Sequence, residues 1–229
     1  MDRKGAVNVS IHVQDNTIDS TDQMKVLGVL LDAKLNFKPH VSLICSRASR
    51  QINALRRISK FLNVEGRLRV YKSFISADFS YCPLSWIFCG KVNSSKLEKL
   101  QERALRFVYN DNISSYDEML HRSDMLSLSI FRLRFLAIEV YKCVKLENAQ
   151  YLNELFVKRQ HVYGLRDTDL LKQTRFDTYK FGYRFFAYYG SKLWNSLPIE
   201  MKQSTSLTIF KDKLYYWCRS NSAKDLEKF

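Results

Sequence analysis

Residues 24–62 read MKVLGVLLDAKLNFKPHVSLICSRASRQINALRRISKFL, and two different periodicities meet within them. The run from Val26 to Leu31 contains no polar side chain, and this continuous apolar pattern predicts a central β-strand. Gly28 lies inside the run. A glycine inside a strand marks either a bulge or a place where another backbone comes close. From Val41 onward the apolar residues recur at helical spacing, so a long helix is predicted to follow the strand.

This predicted helix, from Val41 to Leu62, has one apolar face and one basic face. It contains no acidic residue, although a solvated helix normally mixes both signs of charge for pairing between neighbouring turns. The uniform charge favours an anionic partner, and an exposed basic face without a ligand is the alternative. The basic residues of this face are Arg47, Arg50, Arg56, Arg57 and Lys60.

The composition of the whole chain also favours an anionic partner. Of 229 residues, 46% are hydrophobic and 26% are charged, which is ordinary for a globular protein. The formal net charge of +14 favours a polyanionic partner, either nucleic acid or an acidic membrane surface. Five scattered cysteines fit a reducing intracellular compartment, nuclear or cytoplasmic. No apolar run is long enough to span a bilayer, and we expect no membrane partner.

Alternation and capping residues predict the elements on either side of this segment. Apolar and polar residues alternate from Val7 to Val13, and residues 14–16 form a turn sequence, which together predict a half-buried β-hairpin. Asn63 is a suitable N-cap for the next helix, on which Arg67 and Lys72 extend the basic surface.

Two serine–glutamate pairs have the spacing of a capping box, Ser95 with Glu98 and Ser115 with Glu118, and each predicts the start of a helix. In residues 166–190 aromatic and basic residues are interleaved. They either stack on and neutralise a single nucleic-acid strand or form strands whose polar tips point outward. The fold class is therefore mainly α, with a small antiparallel β-hairpin or sheet at the N-terminus and an α+β C-terminal segment.

Catalytic motifs are absent from the sequence. It contains no phosphate loop, zinc-protease helix, nucleophile elbow or dinucleotide fingerprint. Asp167 and Asp169 are closely spaced carboxylates in a basic region, whereas two-metal catalysis needs several converging carboxylates. We expect these two aspartates to pair with Arg166 and Arg175.

Several short sequence blocks occur in this chain in the same order as in a known protein family. They are KVLGVLLD at 25–32, LNF at 35–37, PHV at 39–41, LRR at 55–57, YKS at 71–73, YCP at 81–83, LEKLQERALRF at 97–107 and YYGSKLWNSLP at 188–198. These blocks resemble the end of the reverse transcriptase domain of non-LTR (LINE-type, jockey-like) retrotransposons. The resemblance covers nearly the whole chain.

The resemblance implies three regions. Residues 1–36 are similar to the end of the polymerase palm with its primer-grip hairpin, residues 37–112 to a helical thumb, and residues 113–229 to a C-terminal helical domain with the aromatic and basic segment. In the family a Leu-Gly pair lies on the primer-grip hairpin. Here the pair is Leu27-Gly28, where a backbone without a side chain would let a primer strand approach.

The thumb-like helices make basic side chains candidates for phosphate contacts to a template–primer duplex, so the expected partner is RNA, DNA or an RNA/DNA hybrid. A complete reverse transcriptase is a further expected associate. The candidate contact residues are Leu27, Gly28, Arg47, Arg50, Arg56, Arg57, Lys60, Arg67 and Lys72.

The same resemblance indicates what we do not expect in this chain. The catalytic aspartates of the family precede the grip hairpin, and the sequence has no Ala-Asp-Asp signature, so we expect neither nucleotidyl transfer nor the Mg²⁺ of the palm. The C-terminal cysteine cluster of the family is missing, since Cys218 stands by itself. The sequence thus predicts a truncated RNA-directed DNA polymerase fragment of a transposable element that retains backbone binding. The alternative is a non-catalytic helical interaction or scaffold module, a decayed or reused element product.

Overall fold

The structure is a computed structural model, which describes residues 9–14, 16–146, 150–159, 169–173 and 186–220. The chain divides into two compact units, Met1–Ile113 and Ser114–Phe229. The described part is mainly helical and carries two antiparallel hairpins near its N-terminus, which confirms the predicted fold class. The boundaries predicted at residues 36 and 112 from the resemblance stay predictions.

The first hairpin pairs β1 (Ser10–Val13) with β2 (Asn16–Asp19), and the chain turns at Gln14. The predicted reversal is confirmed, but the predicted half-burial is wrong, because both strands are exposed along their whole length.

The second hairpin corrects the prediction of one continuous strand from Val26 to Leu31. The chain forms β3 (Gln23–Val26), reverses at Leu27 and Gly28, and returns as β4 (Val29–Asp32), with Val26 opposite Val29. Only β4 is buried against the rest of its unit, because it packs on the following helix.

The remaining elements of the first unit are helical. They are α1 (Lys38–Ile58) with a 3₁₀ turn at Ser59–Phe61, α2 (Val64–Val70), which continues through a π-helical turn at Tyr71–Ile75 into α3 (Ser76–Ser80), and α4 (Lys91–Tyr109). The Asn63 cap is confirmed, since its side chain accepts a hydrogen bond from the Gly66 amide at 2.8 Å. The capping box at Ser95 is wrong, because α4 has already begun at Lys91.

Helix α1 packs along α4 through one buried stripe. The stripe agrees with the predicted apolar face, except that Cys45 is half-buried and Ile58 is exposed. The basic residues therefore lie outside the stripe, as the periodicity predicts. The buried residues of α1 are His40, Val41, Ile44, Ala48, Ile52 and Leu55.

The described helices of the second unit are α5 (Tyr116–Arg122), α6 (Leu128–Tyr141) with a π-helical turn at Lys142–Leu146, α7 (Gln150–Asn153), α8 (Phe186–Ser196), α9 (Ile199–Lys202) and α10 (Leu207–Ser220). The second capping box is confirmed. The Ser115 hydroxyl accepts from the Glu118 amide at 3.3 Å, and the Glu118 carboxylate accepts from the Ser115 amide at 2.8 Å.

The core of the second unit is aromatic. Tyr141 stacks on Phe210 with ring centroids 4.3 Å apart, and its hydroxyl donates to the Ser204 carbonyl at 2.9 Å. Helices α6 and α8 come so close that a Cβ on Gly190 would lie 2.8 Å from Val140 Cγ2. Only glycine fits at this crossing without displacing its neighbour.

Much of the predicted aromatic and basic segment lies outside the described residues, and so do Arg166, Asp167 and Arg175. Asp169 is described, and its carboxylate pairs with Lys145 at 3.2 Å and Lys158 at 3.3 Å. In the described ranges no helix combines the length and the apolar character needed to cross a membrane.

Candidate nucleic-acid interface

The Leu27-Gly28 pair forms the tip of the second hairpin. Both residues have positive φ, 45° for Leu27 and 87° for Gly28, as a two-residue hairpin turn with the twist of its strands requires. Positive φ is uncommon for a residue with a side chain, so Leu27 is held there by its surroundings. The residue is 86% exposed at the tip.

Tyr81, an exposed residue at the end of α3, holds this tip through its side chain. Its hydroxyl donates to the Leu27 carbonyl at 2.6 Å, and a Cβ on Gly28 would lie 3.3 Å from Tyr81 Cε1. The close neighbour of the glycine in the structure is therefore a tyrosine ring. Sequence reasoning placed Tyr81 in a family block but gave it no part in the site, because nothing in the local pattern links it to a turn 54 residues earlier.

His40 connects the hairpin to the basic helix. It lies buried in the first turn of α1, where Nδ1 accepts a hydrogen bond from the Leu30 amide at 3.3 Å and the ring meets Trp86 edge-on at 6.3 Å. Burial lowers the pKa of His40, and the nearby Arg47 guanidinium lowers it further. A neutral ring suits this position, because Nδ1 must be unprotonated to accept the hydrogen bond from the Leu30 amide.

Asp32 orders the loop between the hairpin and α1. Its carboxylate accepts hydrogen bonds from the Phe37 amide at 2.7 Å and the Asn36 amide at 3.3 Å. Phe37 has a left-handed backbone and directly precedes the helix. Asp32 and His40 thus connect the second hairpin to the start of α1 by hydrogen bonds.

Two of the seven basic candidate residues have side chains that are engaged inside the protein. Arg47 forms an ion pair with the largely buried Asp78 at 3.0 Å. Arg67 is half-buried, and its Nη1 donates at 3.2 Å to the Phe107 carbonyl in the last turn of α4. A cation at this end of a helix satisfies a carbonyl that has no partner within the helix.

Five other candidate cations are exposed, and their side chains have neither a hydrogen bond nor an ion pair within the part of the chain that the structure describes. Arg50 and Arg57 lie opposite the buried stripe of α1, two turns apart, which is about 10.5 Å along the axis. The ammonium group of Lys60 lies 4.9 Å from the centroid of the Phe61 ring. The five residues are Arg50, Arg56, Arg57, Lys60 and Lys72.

Acidic side chains of the same unit neutralise other arginines. Glu65 pairs with Arg69 and Glu102 pairs with Arg106, each at 2.6 Å and one helical turn apart. Among the described residues, the outer face of α1, which is the side opposite the buried stripe and carries Arg50 and Arg57, has no acidic partner for these two arginines. This face can bind anions without first breaking an internal ion pair.

The described residues contain no group of three His, Cys, Asp or Glu side chains that could hold a metal ion. Cys218 is a buried thiol in α10, and burial raises its pKa to about 12. A thiol with this pKa stays protonated at neutral pH, whereas a metal ligand must be a thiolate.

Comparisons with known proteins show that part of this sequence is similar to other proteins. No protein-family model and no solved structure matches the chain. A probable RNA-directed DNA polymerase from transposon BS of Drosophila melanogaster is 25% identical over 119 residues, which are 51% of this chain and 13% of that protein. An uncharacterized protein of Caenorhabditis elegans is 30% identical over 110 residues, which are 44% of this chain and 53% of that protein.

The chain thus matches no more than about half the length of either relative. It is distantly similar, over about half of its own length, to a protein described as a transposon RNA-directed DNA polymerase.

Proposed function

We propose that this chain binds the phosphate backbone of RNA, DNA or an RNA/DNA hybrid as a fragment related to a transposon reverse transcriptase. The observation that carries the proposal is a set of five exposed cations on α1, on the 3₁₀ turn that follows it and on the π-helical turn that follows α2. None of their side chains has an intramolecular hydrogen bond or ion pair in the described ranges. The polymerase relative supplies the class of partner.

Binding of this kind is electrostatic and independent of sequence. Each phosphate that a lysine or arginine neutralises releases condensed counterions, so the binding constant falls with salt. Five such contacts predict a slope of about −4 to −5 for the logarithm of the binding constant against the logarithm of salt concentration on a duplex.

The test is fluorescence anisotropy with a labelled RNA/DNA template–primer hybrid, titrated with the full chain over a series of salt concentrations. A slope in the predicted range supports the proposal. A slope near zero contradicts it and favours a module that binds other proteins.

Arg50→Ala combined with Arg57→Ala should flatten the slope by about 2, because two phosphate contacts are lost. The matched control is Arg69→Ala combined with Arg106→Ala, which removes the same charge from two arginines that are already paired with glutamates. We expect the control to keep the slope of the unaltered chain. Equal flattening by both pairs would mean that only net charge matters.

We also propose that this chain does not polymerise by itself, since its sequence has no Ala-Asp-Asp signature. Primer extension with Mg²⁺ on a primed RNA template should give no incorporation. Incorporation by the purified chain would contradict this proposal without bearing on backbone binding.

A further inference from the structure

The outer face of α1 gains a cation from a different helix. Arg103 lies exposed on α4, and its Nη2 donates to the Asn53 Oδ1 of α1 at 2.9 Å. The guanidinium carbon also lies 6.0 Å from the centroid of the Phe107 ring. Two contacts from two helices therefore hold this charge in place.

Asn53 occupies the middle of the basic face. Residues three and four apart on a helix are neighbours, with Cβ atoms about 5–6 Å apart. Arg50 precedes Asn53 by three residues, whereas Arg56 and Arg57 follow it by three and four. The hydrogen bond from α4 thus brings Arg103 to an amide that three arginines of α1 surround.

No carboxylate pairs with these four guanidinium groups among the described residues. Like charges on neighbouring helical turns are slightly destabilising, and an anion bound across the four groups would relieve this repulsion. Arginine donates up to five hydrogen bonds in a planar fork, which matches the oxygens of a phosphate group.

We propose that Arg103 is a phosphate-contacting residue and that Asn53 positions it, so that one nucleic-acid backbone strand lies across α1 and α4 at this cluster. This inference rests on the proposed function and adds a second helix to the interface. Asn53 acts through Arg103: it orients the guanidinium before binding, so that less side-chain entropy is lost when the phosphate arrives.

The test uses the full chain and the same labelled hybrid. Arg103→Ala should reduce the steepness of the salt slope by about 1, as expected for one lost phosphate contact. Arg69→Ala, with the same loss of charge at an arginine paired to Glu65, should leave the slope unchanged. Circular dichroism should show the same helix content in both variants, because both side chains are exposed.

Asn53→Ala separates positioning from charge. It keeps the guanidinium but removes the group that holds it, so the affinity should fall severalfold at every salt concentration while the slope stays the same. Asn53→Asp places a carboxylate beside Arg103 and should lower the slope as well as the affinity.

The outcomes distinguish this inference from the proposed function. If the unaltered chain shows a slope near zero, both are overturned. If the slope is steep but Arg103→Ala behaves like Arg69→Ala, backbone binding stands and the contribution of α4 is overturned. If Asn53→Ala binds as tightly as the unaltered chain, the positioning role of Asn53 is overturned.

Discussion

Tyr81 and Gly28 show how a single hydrogen bond can define a candidate grip. The tyrosine hydroxyl holds the Leu27 carbonyl, and the ring fills the space beside Gly28. The tip is therefore shaped before any ligand arrives. A nucleic-acid strand bound at this tip, as we propose, would meet the exposed Leu27.

Tyr81→Phe should lower the free energy of unfolding by about 0.5–1.5 kcal/mol, the usual net contribution of one hydrogen bond. Urea denaturation measures this change, and faster hydrogen exchange at the Leu30 amide would locate it in the hairpin. Tyr216→Phe is the control, because the hydroxyl of this exposed tyrosine makes no hydrogen bond within the described part. An unaltered unfolding curve for Tyr81→Phe would contradict a role in holding the turn.

His40 should make the stability of the protein depend on pH. Its pKa in the folded state lies below the ordinary value of 6.5, because burial and then Arg47 disfavour the charged ring. Well above pH 6.5, His40 is neutral in both the folded and the unfolded chain. As the pH falls below that value the unfolded chain takes up the proton first, so the free energy of unfolding decreases until the folded pKa is reached.

The measurement is urea denaturation at several pH values between 7.5 and 5, in the unaltered chain and in His40→Asn. The variant should be less stable at pH 7.5 and should lose less stability on acidification. His12→Gln, at an exposed histidine of the first hairpin, should keep the full pH dependence. Parallel pH profiles for the unaltered chain and His40→Asn would show that His40 is not the responsible group.

The two serine–glutamate pairs have the same sequence spacing but different structures, and they offer a direct comparison. Ser115→Ala should cost about 0.5–2 kcal/mol, because it removes a confirmed helix cap. Ser95→Ala should be neutral or slightly stabilising, because Ser95 lies within α4, where alanine is the better helix former. Thermal unfolding of both variants checks this, and an equal loss of stability would mean that Ser95 has a contact that a helical position does not predict.

Periodicity and capping residues therefore predict which helices form better than they predict where each helix or strand begins and ends. Helix α1 was predictable because its apolar stripe recurs over many turns. The start of α4 was not, since it follows Gly90 and has no side-chain cap. The reversal at Leu27-Gly28 was hidden inside an apolar run, because leucine rarely adopts positive φ and gives no turn signal.

The distribution of charge over the molecule was predictable only in part. Periodicity placed Arg47 and Arg50 outside the apolar stripe of α1, and the structure agrees. Arg47 and Arg67 are engaged by residues that are distant in sequence, Arg47 by the Asp78 carboxylate and Arg67 by the Phe107 carbonyl, so periodicity could not identify them. The same limit hid Arg103, whose link to α1 spans 50 residues of sequence.

A basic face without acidic neighbours should make folding and binding respond oppositely to the same change. In low salt without ligand, Arg50→Ala combined with Arg57→Ala should stabilise the chain by about 0.5–1 kcal/mol, because two like-charge neighbour contacts are relieved and alanine favours the helix. Added salt should reduce this gain, because it screens the repulsion.

With the hybrid present, the unaltered chain should be more stable than the double variant. A ligand at 100 times its dissociation constant stabilises the folded state by about 2.7 kcal/mol, and the double variant, which binds more weakly, should gain less. Urea denaturation in low and high salt, with and without the hybrid, measures all four conditions. The prediction is contradicted if the double variant is less stable than the unaltered chain without ligand. It is also contradicted if the hybrid stabilises both proteins equally, because these arginines would then not contact the bound phosphates.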